Sequence, residues 1–295
     1  MTENRSHQSS THGHRHGHAH GHTHDQQHDD QVSMLEDDAV LLGDYLEEAT
    51  AWIATYAGEP ARVLDLGAGT GVGTLALARR FPSAVVTAAD VDPRMLALLS
   101  RAADDAGLGE RVRTVELDLD GAWPTGPAGT GGLDGHDVVW ASGSLHHVAD
   151  PDRLLRDLAA GLAPGGVLAV VEMAGAPRFL GEDDELERRV STLLDERFHS
   201  FPDWAPNLAA AGLEVRDRRT FTQEAGPGRP EVARAATTWL GRLRTGLADE
   251  LPAADLARLD RLLDPTDPDA LARRTDLVAR GRRTAWLARP TPTLP

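Results

Sequence analysis

At 295 residues, 41% hydrophobic and 26% charged, the chain is long enough for one good-sized α/β domain with an appendage, or for two small domains. Its formal net charge of −16 argues against a nucleic-acid partner, which needs a basic face. No apolar run approaches the ~20 residues of a membrane span. Cysteine is absent and all 30 basic residues are arginine, which excludes disulfides, thiolate metal sites, a cysteine nucleophile and lysine Schiff-base chemistry.

Residues 1 to about 33 carry no apolar periodicity and no secretory apolar segment, so a soluble, cytoplasmic protein with a disordered N-terminal tail is expected. Histidine alternates with Gly, Arg, Ala and Thr from His12 to His24, a density of imidazoles that binds divalent metal ions loosely. From about residue 34 a folded domain is expected. Leu42, Tyr45, Leu46, Ala49, Trp52 and Ile53 share one helical face, which predicts a helix from about Asp37 to Tyr56. Gly58 and Pro60 end it.

The stretch Arg62-Val-Leu-Asp-Leu-Gly-Ala-Gly-Thr-Gly-Val-Gly-Thr74 follows. Its apolar run reads as a buried parallel strand, its glycines as a tight turn, and Leu75 to Arg80 as the start of a helix. That order builds a nucleotide crevice at the carboxyl end of a parallel sheet. The dinucleotide spacing of glycines at first, third and sixth positions fails in both registers, because Val72 and Thr74 occupy the sixth position. The pattern present is Asp65-x-Gly67-x-Gly69-x-Gly71.

Ala84 to Ala89 reads as the second strand, closed by Asp90, a carboxylate at the distance from the glycines where ribose hydroxyls are held. Pro93 suits a first helical turn with Asp92 as its cap, giving a helix to about Ala106. Val112 to Leu117 is strand three, with Asp118, Leu119 and Asp120 just beyond it. Residues 122 to 135 form a Gly/Pro-rich loop. His136 to Ala141 is strand four. Ser142-Gly-Ser-Leu-His-His-Val-Ala-Asp-Pro151 leads into a helix with Leu154, Leu155, Leu158 and Leu162 on one face. Ala163-Pro-Gly-Gly166 breaks it before a fifth strand, Val167 to Val171, ending in Glu172.

The motif at Asp65 to Gly71 resembles motif I of the class I S-adenosylmethionine-dependent methyltransferases. The "strand, Leu-His-His, Asp-Pro, helix, Pro-Gly-Gly, strand" passage closely resembles that of many small-molecule members. The resemblance covers roughly Asp37 to Glu172, and more loosely the closing strands, Leu213 to Phe221 and Arg283 to Ala288. It implies a Rossmann-like three-layer α/β sandwich whose seven-stranded, mostly parallel sheet has order 3-2-1-4-5-7-6 with strand seven antiparallel. It also implies S-adenosylmethionine as cofactor, contacted by Asp65, Gly67, Ala68, Gly69, Gly71, Asp90, Val91, Asp118, Leu119 and Ser142. Asp118 would accept from the adenine amine, and Leu119 would lend its amide and side chain to the ring. Two helical insertions, about 176–202 and 226–282, depart from the family outline and are expected to lie as lids over a substrate site, or to add core or a dimer contact.

Methyl transfer from a sulfonium needs an in-line acceptor in a shielded site and no obligatory metal. A protonated oxygen or nitrogen acceptor also needs a base, for which His146, after strand four, is the candidate; its other reading is local packing of the loop. The motifs for transfer to amide or base nitrogens, to cytosine C5 and to protein arginine are missing. A small-molecule O-, N- or C-methyltransferase is therefore expected. The rival readings are an NAD(P)-dependent Rossmann oxidoreductase, and a non-catalytic cofactor- or metal-binding protein working through its tail.

Overall fold

The computed structural model describes residues 45–127, 131–181, 183–196 and 201–291. The His-rich tail, with its expected disorder and metal binding, lies outside the described residues, as does the first part of the helix expected from Asp37.

Seven strands form one sheet in the order β3-β2-β1-β4-β5-β7-β6. They are β1 (Arg62–Leu66), β2 (Val85–Asp90), β3 (Val112–Glu116), β4 (His136–Ser142), β5 (Leu162–Met173), β6 (Leu213–Ala225) and β7 (Ala279–Pro290). The first five pair in parallel, and β7 is antiparallel to both β5 and β6. This is the expected order, with the one reversed strand in the expected place. The final strands run longer than the apolar pattern predicted. The additional residues of β6 and β7 are largely polar, and a strand that pairs through its backbone can carry polar side chains on one open face.

Helix α1 (45–57) and α2 (Val72–Arg80) cover one face of the sheet. Tyr45, Trp52, Ile53 and Leu77 pack there against Val63, Val138, Ala169 and Leu287. On the opposite face α4 (Pro151–Gly161) and α6 (Ala205–Ala210) bury Leu154, Leu155, Leu158 and Leu208 against Leu64, Val139, Leu168 and Trp286. Helix α3 (Pro93–Asp105) connects β2 to β3. Its cap is the predicted one: Asp92 accepts from the Arg94 N–H, with Pro93 at the first helical position. Asp150 and Pro151 start α4 in the same way.

The two departures from the family outline contain α5 (Glu185–Glu196), α7 (Pro230–Gly246) and α8 (Ala253–Leu263). They share a separate apolar core of Phe179, Leu186, Val190, Leu240, Leu259 and Leu271. Two ion pairs tie α5 and the turn before it to α8. Arg189 meets the buried Asp255 at 2.5 Å, and Arg258 meets Asp184 at 2.5 Å. Glu187 is buried and accepts from the N–H groups of Phe179 (2.6 Å) and Leu180 (3.2 Å), satisfying backbone donors that no strand or helix uses.

One irregularity sets the layout of the sheet edge. The pairing of β6 with β7 slips by one residue between Val215 and Asp217. Val215 lies opposite Ala288, on the α4/α6 face, whereas Asp217 lies opposite Leu287, on the α1 face. Arg216 is the extra residue of this bulge. Because of it, the Asp217 carboxylate reaches α1, accepting from Trp52 Nε1 at 2.8 Å and Tyr56 OH at 2.7 Å.

Candidate functional site

The glycine turn between β1 and α2 is held to the sheet by its own backbone. Gly67 and Ala68 both donate to the Ala89 carbonyl, at 2.8 and 3.0 Å, and the Gly69 N–H donates to Asp90 Oδ2 at 2.9 Å. Asp90 Oδ1 also accepts from the Asp92 N–H. Gly67 has φ +67°, and a Cβ there would stand 2.5 Å from the Ser144 Cβ. Only glycine lets this turn and the loop after β4 approach so closely. Gly71, at φ +92°, would drive a Cβ to 2.3 Å from the Leu99 side chain.

Asp65 sits beneath the turn, buried, and accepts from Thr74 Oγ1 at 2.6 Å. Burial pushes its carboxyl up to about 7, with the Thr74 hydrogen bond opposing and the Asp90 charge adding to the rise. At the rim of β2, Val91 is 61% exposed, an apolar side chain left open beside Asp90. Beyond β3, the two nearby carboxylates divide. Asp120 accepts from the Ala149 N–H at 2.8 Å and so ties the loop before α4, while Asp118 is exposed and accepts from the Asp120 N–H. Leu119 packs against the core of the α4 face.

At the end of β4, Ser142 Oγ lies 3.0 Å from Tyr45 OH, so α1 meets the sheet edge at the site. Leu145 to His147 then make a short 3-10 turn. His146 Nδ1 donates to Glu172 Oε2 at 2.8 Å, and the Leu145 N–H donates to Glu172 Oε1 at 3.0 Å. Glu172 is buried at the end of β5, while the His146 side chain keeps 34% of its surface exposed. The hydrogen bond to Glu172 raises the His146 pKa above the ordinary histidine value, against burial and the Arg283 charge, which lower it. His147, its ring 4.0 Å away, is pushed down by burial and by His146. With Nδ1–H fixed by the carboxylate, Nε2 of neutral His146 carries the lone pair.

The structure thus brings Asp65, Gly67, Ala68, Gly69, Gly71, Asp90 and Val91 together at the ends of β1 and β2, with Asp118 and Leu119 beyond β3 and Ser142 and His146 beyond β4. Sequence reasoning noted Glu172 as the end of a strand and gave it no role. Its signal was a carboxylate directly following a continuous buried apolar run. Arg283, whose guanidinium lies 5.3 Å from the Tyr45 ring centroid, was read as a strand residue and nothing more. Among the described residues, no group of three His, Cys, Asp or Glu could hold a metal ion.

A mostly parallel open sheet with a glycine turn after β1 and an acid at the end of β2 has the form of a nucleotide-type cofactor domain, and a histidine–carboxylate pair stands beyond β4. Residues 64–168 match a family model described as a methyltransferase domain. The demethylmenaquinone methyltransferase of Thermus thermophilus is 38% identical over 179 residues, which cover 53% of this chain and 76% of that protein. The trans-aconitate 2-methyltransferase of Variovorax paradoxus is 37% identical over 112 residues, and the matched stretch spans little more than a third of its length, 38%. The YcgJ protein of Bacillus subtilis shares the fold, with a TM-score of 0.51 at 18% identity over 83% of this chain and 99% of that one. The chain belongs to the class I S-adenosylmethionine-dependent methyltransferases.

The pocket chemistry fits that cofactor. A Cβ at Gly67 or Gly71 would collide with Ser144 or Leu99 and so displace the turn, carboxylates stand at Asp90 and Asp118, and Val91 is an exposed apolar side chain, a donor-accepting and partly apolar lining of the kind an adenosine group needs.

Proposed function

We propose that the protein transfers the methyl group of S-adenosylmethionine to an oxygen, nitrogen or carbon of a small-molecule acceptor, with His146 as the base where the acceptor atom is protonated. One observation carries this reading: the loop that bears His146, paired with Glu172 of β5, is packed against Gly67 through Ser144, so base and glycine turn are neighbours. When bound, the cofactor supplies a methyl group on a sulfonium, an electrophile that needs no further activation.

The chain's own residues supply the rest. The backbone of Gly67, Ala68 and Gly69 leaves room for the ligand, and Gly71 and Asp65 keep the turn in place from below. Asp90 accepts from the ribose hydroxyls, Asp118 from the adenine amine, and Val91 and Leu119 enclose the ring. Tyr45, bonded to Ser142, holds α1 against the site edge. His146 takes the acceptor proton at Nε2, and Glu172 keeps the imidazole in that tautomer and stabilises the imidazolium that forms. The helical insertions, residues about 176–202 and 226–282, act as the lid that gives acceptor specificity. The tail, with histidine at every second position from His12 to His24, adds loose binding of divalent metal ions. The protein acts in the cytoplasm; among the described residues no helix is long and apolar enough to cross a membrane.

The test is isotope-labelled methyl transfer from S-adenosylmethionine into metabolite extract, read by mass spectrometry, alongside calorimetry of cofactor binding. Heat stabilisation by NAD but not by S-adenosylmethionine would overturn the proposal. Unchanged methyl transfer after removal of residues 1 to 33 would leave the tail as an accessory.

A further inference from the structure

On the sheet face that carries Glu172, the last three strands change from apolar to polar along their length. Trp286 and Ala288 are buried there under α4 and α6. One step outward, Glu172 pairs across to Thr284, and Thr284 to Thr220, whose hydroxyls lie 3.1 Å apart. Beyond them Thr222 faces Arg282 and Glu224 faces Arg280. A cavity of about 770 Å³ opens over this polar part, with Thr222, Arg282 and Thr284 from the strands and Ser191 and Thr192 from α5 in its wall. That volume suits a small molecule.

Four arginines line the cavity, and their charges are not equally committed. Arg218 pairs with Asp203 at 3.1 Å and lies over the Trp286 ring. Arg280 pairs with Glu224 at 3.1 Å. Arg282 donates to the Ala174 carbonyl at 3.4 Å, a long contact to a neutral acceptor, and makes no ion pair among the described residues. Arg178 joins them through the backbone, its N–H and carbonyl exchanging bonds with Arg280. Of the three lining carboxylates, Asp203 is the partner of Arg218, and Asp195 and Glu196 belong to the end of α5; none is on the sheet. The sheet side of the cavity is therefore a basic, hydroxyl-rich floor beginning one residue pair from the carboxylate that orients His146.

We propose that this cavity is the acceptor site and that the acceptor carries a carboxylate or comparable anionic group, held by Arg282 with the threonine hydroxyls beside it. Guanidinium presents paired donors to a planar carboxylate, and such charge-assisted bonds fix orientation as well as affinity. An anion seated at Arg282 places the remainder of the molecule beside Thr284 and Glu172, on the side of the base. This inference rests on the methyltransferase reading above and names its substrate class.

The experiment separates a metabolite extract by ion exchange into anionic, neutral and cationic fractions, and offers each to the full chain with isotope-labelled S-adenosylmethionine. Label is expected in products of the anionic fraction. Arg282→Gln is expected to raise the KM for that fraction roughly 10- to 100-fold, with cofactor affinity unchanged by calorimetry and Arg261→Gln, outside the cavity, behaving as wild type. Label confined to the neutral or cationic fractions, or an Arg282→Gln enzyme with unaltered KM, overturns the inference. Cofactor binding without label from the anionic fraction sinks it alone, whereas absence of cofactor binding sinks the methyltransferase reading beneath it.

Discussion

At the scale of single residues, three carboxylates show how position decides role. Asp65 is buried, and burial, with the Asp90 charge adding and the Thr74 hydrogen bond opposing, pushes its carboxyl from 3.8 to about 7. A raised folded-state pKa means that the native state holds a proton that the unfolded chain has already lost between those values. The stability linked to it is complete below the unfolded pKa and drains away as pH rises through about 7. The wild-type melting temperature should therefore fall more steeply between pH 5 and pH 8 than that of Asp65→Asn; parallel profiles would refute the assignment. Glu172 works the other way, holding a proton on His146. Methyl transfer to a protonated acceptor should lose rate as pH falls through a pKa above the ordinary ~6.5 of histidine, because the base is then charged. Glu172→Gln should move that limb to lower pH, since the burial and the Arg283 charge that oppose protonation remain. Asp90 has two occupations, its bonds to the Gly69 and Asp92 amides and its proposed bond to ribose. Asp90→Ala should weaken cofactor binding by about 1–3 kcal/mol, and unaltered affinity in calorimetry would remove it from the site. The position of Asp90 was legible because strand end and glycine distance locate it. Its backbone bonds were not, since they depend on how the turn closes. The choice between Asp118 and Asp120 was open for the same reason, and the Ala149 amide resolves which of them ties the loop.

At the scale of elements, local chemistry announced most starts and stops. Asp92-Pro93 and Asp150-Pro151 each combine a side-chain cap with a proline that needs no donor, and both begin helices as read. What one-dimensional patterns could not supply is how elements clamp to one another. Helix α1 is joined to the sheet by Asp217, 161 residues away from Tyr56 in the chain, and by Arg289 donating to the Tyr56 carbonyl at 2.7 Å. Asp217→Ala should leave Trp52 Nε1 and Tyr56 OH without their acceptor and speed amide exchange across residues 45–57; exchange unchanged there would mean that apolar packing alone holds α1. In the insertions, Glu187 is a buried acid on a helix otherwise rich in exposed charge. Burial raises its pKa while two backbone amides oppose the rise. Glu187→Ala strips those amides of their acceptor and should cost about 1–3 kcal/mol in chemical denaturation. A loss within a few tenths of a kcal/mol would show that another acceptor takes over.

At the scale of the molecule, the parallel half of the sheet was legible because its strands are buried on both faces and read as continuous apolar runs. Val63 to Leu66 and Val167 to Val171 are of this kind, and each ends at a residue the site uses. The antiparallel edge was harder to delimit. β6 and β7 alternate Phe221, Ala285 and Leu287 inward with Arg218, Thr222 and Arg282 outward, so their outer halves resembled solvent-facing loop. That open polar face is where the cavity lies. The third apolar core, shared by α5, α7 and α8, could be expected as helix from periodicity, but its partners come from segments some seventy residues apart, as the Arg189–Asp255 pair shows.

The extra residue at Arg216 makes the outer part of β6 a matter of parity. Every side chain from Asp217 to Ala225 owes its face to one residue that the ladder leaves uncounted, and drawing Arg216 into the pairing would turn the segment over. Pairing Arg216 opposite Leu287 would instead aim Asp217 away from Trp52, send Phe221 out of the cluster with Tyr45, and turn Arg218 and Thr222 from the cavity towards α1, whereas removal of Arg216 would leave each of them opposite its present partner. One bulged residue, by staying out of the ladder, therefore keeps two distant things in phase, the anchoring of the first described helix and the charge of the cavity floor. Deletion of Arg216 alone should be tolerated, since the ladder on either side of it keeps its register.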